Sequence, residues 1–243
     1  MKPNSKAIKD TMEAMRDGVQ AAHLMRFFKT GKGEYGEGDR FLGIRVPATR
    51  AIVKEWKNKV CLEDISPLID SQWHEIRLAG FLLLIELYKK AKKHNAEQAI
   101  VDFYIASLNL GNNWDLVDLV APKILGDYLI DRPEKRDILY SLASMEGQLW
   151  HQRVAIVATW TLIREHQFND ALTLCEGLMT HSHDLIHKAC GWMLREVGKR
   201  GGMNRLEDFL DRHAARMPRT MLRYAIEKMT EEKRRYYMYH SGT

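Results

Sequence analysis

A short motif returns along the chain at a nearly fixed interval, and this return limits the possible folds more than any other feature. Trp73-His74-Glu75-Ile76-Arg77-Leu78-Ala79 is echoed by Trp150-His151-Gln152-Arg153-Val154-Ala155. Trp114 to Asp118 and Asp184 to Lys188 hold the same place in two further units. With the charged residue near the fifth position as marker, the series is Arg77, Asp118, Arg153 and Lys188, at separations of 41, 35 and 35 residues. A period of this size holds about two helices, and such units cannot bury their apolar faces alone, so they stack.

The rest of the chain agrees with stacked helices. Prolines number only six, and apolar residues recur at helical spacing, as in Ile52, Val53 and Trp56 or Leu185, Ala189 and Met193. Joints are predicted near Ser66-Pro67, Gly111-Asn112, Arg132-Pro133, Gly147, His181-Ser182 and Gly201-Gly202, with no linker between domains. The expected fold is all-α, a curved α-solenoid of HEAT-like helical repeats, formed as a single domain over residues 1–243. The helices with the markers are apolar nearly all round, so they are expected to be inner helices lining a concave face. Arg77, Arg153 and Lys188 then form a cationic stripe suited to a phosphate backbone, interrupted by Asp118. The plainer alternative, caps and internal salt bridges, stays open for each of them.

Within this frame, Asn112-Asn113-Trp114-Asp115-Leu116-Val117-Asp118 reads as a helix start, with either Asn as cap and Asp115 in the first turn. Trp114 and Asp118 share a face. Pro122 should kink the helix, because it offers no N–H to the Asp118 carbonyl. Asp118 is either a structural partner for Arg153 or a catalytic anion. Trp192 falls off its helix's apolar face, beside Lys188 and Arg195, where it can cover a neighbouring repeat or stack on a ligand.

Gly31 to Gly43, with five glycines, is the one long irregular segment; it lacks the Gly-Lys-Ser/Thr of a phosphate loop. His183 and His187 have metal-like spacing, but no third ligand shares their face, so no metal or cofactor is expected. Lys89-Lys90-Ala91-Lys92-Lys93 reads as a solvated helix end. The net charge of +5 and a pI near 9.0 suit a polyanionic partner. Three scattered cysteines, a polar N-terminus and no apolar run long enough for a membrane predict reduced thiols in a cytoplasmic protein.

Four segments in register resemble one family. Phe41-Leu42-Gly43-Ile44-Arg45-Val46-Pro47, Trp114-Asp115-x-x-Asp118 with Leu125-Gly126-Asp127, Gln152-Arg153-x-Ala155, and Lys188-Ala189-x-Gly191-Trp192-x-Leu194-Arg195-Glu196 are similar to the bacterial AlkD family. These are DNA alkylation-repair glycosylases of HEAT-like repeats, and the likeness runs from about Phe41 to Arg223. Gly31 to Gly38 and Tyr236-Tyr237-Met238-Tyr239 depart from the family pattern.

The resemblance implies hydrolysis of the N-glycosidic bond of cationic alkylated purines, such as 3-methyladenine and 7-methylguanine, without base flipping. It places the family's Trp-Asp-Trp set at Trp114, Asp118 and Trp192, and its backbone-contacting arginine at Arg153. Arg45, Arg50, Arg219 and Arg223 are added as phosphate contacts, with Arg77 and Lys188 from the stripe. The expected partner is duplex DNA containing alkylated purines, bound by a monomer with no membrane association. The rivals are a non-catalytic DNA-binding repeat protein and a HEAT-like scaffold for a protein partner.

Overall fold

The computed structural model describes residues 2–239. Among them the regular structure is helical, as the repeat predicts: α1 (Pro3–Glu13), α2 (Gly18–Phe27), α3 (Val46–Trp56), α4 (Leu62–Ile69), α5 (His74–Lys92), α6 (Gln98–Ala106), α7 (Trp114–Val120), α8 (Asp127–Leu129), α9 (Asp137–Ala143), α10 (Leu149–Arg164), α11 (Asn169–Gly177), α12 (Asp184–Lys199), α13 (Met203–His213), α14 (Arg219–Ala225) and α15 (Glu231–Tyr239). Arg77, Asp118, Arg153 and Lys188 each fall on the fourth or fifth residue of a helix. No described helix is long and apolar enough to cross a membrane. The chain forms two compact units that divide between Leu116 and Val117, inside α7.

In the first unit α5 is the centre, packed against α3, α4 and α6. Ile76, Ala79, Leu83 and Leu84 have no exposed surface, and Leu78, Phe81, Leu82 and Ile85 are nearly as deep. Burial on all sides is what an apolar circumference demands, at about 1.5–3 kcal/mol for each large side chain. Its lysines Lys89, Lys90, Lys92 and Lys93 are exposed at the C-terminal end, as expected. One predicted joint is wrong: Ser66-Pro67 lies inside α4. A helix-interior proline costs about 3 kcal/mol. Full burial of Ile65, Leu68 and Ile69 outweighs that cost, so the turn is displaced to the residues after Asp70.

The Gly31–Gly43 segment is irregular, as read, and moulded to its surroundings. Gly36 lies so close to Phe28 that an added Cβ would stand 2.5 Å from the Phe28 carbonyl oxygen. Beyond it Asp39, Phe41, Leu42 and Ile44 are buried.

In the second unit α10, α12 and α14 pack in sequence, with α9 and α11 laid on α10 and α11 and α13 on α12. Pro122 has the expected effect in a specific form. It opens a π-helical turn, Pro122–Gly126, in which the Gly126 N–H reaches back five residues to the Ala121 carbonyl at 2.9 Å. Thr161 of α10 donates its hydroxyl to the Pro122 carbonyl at 2.6 Å. A Cβ on Gly126 would meet the Ala158 carbonyl oxygen at 2.2 Å, so only glycine lets this turn lie on α10.

Candidate active site

The start of α7 is built from the glycine-rich segment and from α5. Asn113, fully buried, accepts the Trp114 N–H on its Oδ1 at 2.9 Å and points its amide at Asp39 Oδ2, 3.4 Å away. Asn113 is thus the capping residue. Asn112 instead accepts a hydrogen bond from Arg77 Nη2 at 3.0 Å. Trp114 is half-buried against the Ala21, Phe28 and Phe41 cluster. Its ring stacks on Phe28 with centroids 5.4 Å apart and planes at 23°, while Phe27 meets it edge-on at 6.1 Å. The stack continues from Phe28 to Phe41 at 5.0 Å and from Phe41 to the His74 ring at 4.4 Å. The aromatic plate expected at Trp114 is therefore one end of a ladder of rings.

Beneath it sits a charge cluster with two anions and two cations. His74 Nδ1 lies 2.7 Å from Asp39 Oδ2, and its Nε2 lies 2.9 Å from Asp115 Oδ2. Arg77 Nη2 donates to Asp39 Oδ1 at 2.6 Å, and Nη1 to the Ser71 carbonyl at 2.9 Å. Burial alone would push the His74 ring down. The hydrogen bonds and charges of Asp115 and Asp39 overcome it and raise the ring to about 9. Burial would likewise raise Asp39, but its bonds to His74 and Arg77 hold it below the usual carboxylate value.

Raising His74 above its unfolded value of 6.5 gives a contribution to stability that is complete below about pH 6.5 and lost as pH rises through about 9. The full effect is on the order of 3 kcal/mol. Urea unfolding of the wild type should show a lower midpoint at pH 10 than at pH 7, and His74→Gln should lose that difference. An equal drop in both proteins would remove His74 as its source.

Arg77 therefore departs from the expected cationic stripe. It is 6% exposed and is held by Asp39, Ser71 and Asn112, which makes it an internal ion-pair partner in place of a surface phosphate contact.

In the second unit Arg153 is likewise internal, at 5% exposure. Its Nε and Nη2 reach the two oxygens of Asp118 at 2.8 Å each, a bidentate pair, and Nη1 donates to the Leu185 carbonyl at 2.5 Å. The partnership with Arg153, one of the two roles open to Asp118, is present as a contact. That does not remove it from solvent: the Asp118 side chain is 20% exposed against 6% for Arg153. Lys188 is more open, with its Nζ 2.8 Å from Asp184 one turn earlier. Trp192 is half-buried on α12 directly after Gly191, where a Cβ would strike the Met221 carbonyl oxygen of α14 at 2.5 Å. Arg195, beside it, pairs with Glu227.

His183 caps α12 by accepting the Leu185 N–H at 3.1 Å, and His181 bonds Gln152 at 3.0 Å. Arg45, Arg50, Arg219 and Arg223 are exposed, and Arg219 also donates to the Met238 carbonyl at 3.0 Å.

Sequence reasoning missed Asp39, His74 and Glu75. Glu75, 2% exposed, accepts the backbone N–H groups of Leu42 and Gly43 at 2.8 Å each and of Ile44 at 3.1 Å. A signal was present, since His74 and Glu75 belong to the echoed motif.

A family model described as DNA alkylation repair enzyme matches residues 8–229. No curated protein matches the chain by sequence. Among solved structures, a predicted DNA alkylation repair enzyme from Enterococcus faecalis is similar at a TM-score of 0.70 and 17% identity. The match covers 89% of this chain and 97% of that one. At that identity the likeness is one of fold.

Proposed function

The chain belongs to the DNA alkylation repair enzyme family, and from that premise we propose that it is a monofunctional DNA glycosylase. Its substrates are cationic alkylated purines, 3-methyladenine and 7-methylguanine among them, in duplex DNA. The observation that carries this reading is the Asp118 carboxylate, partly exposed and gripped at both oxygens by a buried guanidinium.

Cleavage of a glycosidic bond builds oxocarbenium-like charge on the sugar. A fixed anion stabilises that charge without reorganising at the moment of reaction, which is where most of the rate is gained. Arg153 supplies the fixing. A carboxylate has more acceptor positions than the two that a guanidinium fills, so Asp118 can also orient the attacking water. Trp114, one turn earlier on α7, offers a π-face to the deoxyribose and its growing charge, and Trp192 on α12 is given the matching role. An already cationic purine leaves without a strong general acid. Contact with the sugar rather than the base lets the lesion stay stacked, unlike the flipping of most glycosylases. Arg45, Arg50, Lys188, Arg219 and Arg223 are the cations proposed to meet phosphates.

The test is incubation with methylated duplex DNA and chromatography of the freed bases. Release of 3-methyladenine and 7-methylguanine by the wild type, with binding that weakens linearly in log salt, is the expected outcome. Salt-dependent retention of the duplex without release would leave a DNA-binding repeat protein in which Asp118 and Arg153 are only a structural pair.

A further inference from the structure

We propose that His74 is a positioning residue for this site: its ring spans Asp39 and Asp115 and thereby fixes the first turn of α7 and Trp114. The inference rests on the reading of Trp114 as a substrate contact. Its geometry is independent of that reading.

His74 opens α5 and its backbone N–H is held by the Arg40 carbonyl at 2.8 Å, so the ring starts from a fixed point. The ring is then held on two edges and one face. Its nitrogens meet carboxylates from the glycine-rich segment and from α7, and its plane stacks on Phe41 at 18°. Donating to two carboxylates at once needs both ring nitrogens protonated, because a neutral imidazole has a single N–H. The charged groups facing it are Asp39, Asp115 and, across Asp39, Arg77; the Glu75 carboxylate is turned onto the Leu42–Ile44 backbone.

The two carboxylates are not equivalent. Asp39 is fully buried and has Arg77 as a second partner, so it stays in place if the ring gives up a proton. Asp115 is 19% exposed, its buried Oδ1 has no hydrogen-bond partner among the described residues, and its Oδ2 is held by the ring at 2.9 Å. Loss of the proton therefore releases the α7 end of the clamp, at Asp115, and not the end at Asp39 in the glycine-rich segment. Asp115 is the neighbour of Trp114 in the first turn of α7, so the ring's hold on Asp115 and the stack on Phe28 together set where the Trp114 ring lies. His151, from the echoed Trp-His pair, is the internal contrast: burial alone pushes its ring down.

The experiment compares wild type, His74→Gln, Asp115→Asn and His151→Gln in single-turnover base release from methylated duplex, and follows Trp114 emission, taken as the difference from Trp114→Phe, against pH. His74→Gln and Asp115→Asn should lower the rate tenfold or more with duplex Kd changed less than twofold, and His151→Gln should lower neither. The wild-type rate and the Trp114 emission should change together as pH rises through about 9, while far-UV circular dichroism stays constant. The emission step should be absent in His74→Gln. Asp115→Asn, at a partly exposed position, keeps the test alive if His74→Gln does not fold. Unchanged rates in both clamp variants, or the same emission step in Asp115→Asn as in the wild type, overturn the proposal. If the wild type frees no base, the glycosylase reading falls. The emission step and its loss then decide the clamp by themselves.

Discussion

Asp118→Asn is expected to lower base release by about a thousandfold while duplex affinity stays within a few-fold of wild type. A thousandfold corresponds to about 4 kcal/mol of transition-state stabilisation. Asparagine keeps the shape of the side chain and one oxygen able to accept from Arg153, so the surface offered to DNA barely changes. What it removes is the charge. Its amide nitrogen also replaces one of the two oxygens now 2.8 Å from the guanidinium, placing donor against donor. Leaving a buried arginine half-matched costs stability as well, about 3 kcal/mol. Release must therefore be assayed well below the melting temperature of the variant, with circular dichroism confirming the fold. Wild-type release from a folded Asp118→Asn protein would end the catalytic role proposed for this carboxylate.

The second large effect is on the fold. Glu75→Ala is expected to lose on the order of 4 kcal/mol of stability and about 10 °C of melting temperature. One carboxylate here satisfies three backbone N–H groups, those of Leu42, Gly43 and Ile44, at 2.8 to 3.1 Å. Bonds to a charged acceptor contribute about 1.5–3 kcal/mol each, and three buried donors would be stranded by its removal. Glu75→Gln should fall between, since a single amide oxygen can accept two of the three. Thermal unfolding followed at 222 nm separates the cases. A loss below 1 kcal/mol for alanine would mean that the segment finds other acceptors.

Glu75 also shows why part of the molecule was legible in the sequence and part was not. Phe41-Leu42-Gly43-Ile44 stood out as a motif, yet nothing local says that its backbone is held by a side chain 31 to 33 residues further on. The inner helices could be read because α5 and α10 are apolar on every side, a pattern contained within each helix. The Asp118–Arg153 pair was half legible. A separation of one repeat put both on the same register, but whether they touch depends on how α7 approaches α10. Arg77 was misread because its anion, Asp39, comes from a glycine-rich segment that has no period to align. The charge of His74 is hidden from the sequence for the same reason: it is set by carboxylates 35 and 41 residues away. Pro67 does not break α4, because three neighbouring aliphatic side chains bury completely around it.

The π-helical turn after Pro122 has a consequence best put as helical phase. In a regular helix Gly126, eight residues beyond Asp118, would point roughly 80° away from it around the axis. Yet both face α10, Asp118 through Arg153 and Gly126 against the Ala158 carbonyl. A turn that closes over five residues, not four, takes up the surplus rotation and brings Gly126 back to the side from which Asp118 projects. Proline at 122 and glycine at 126 thus act as a phase correction. They let one stretch of chain dock on α10 at two heights while the acidic side chain stays aimed at its arginine.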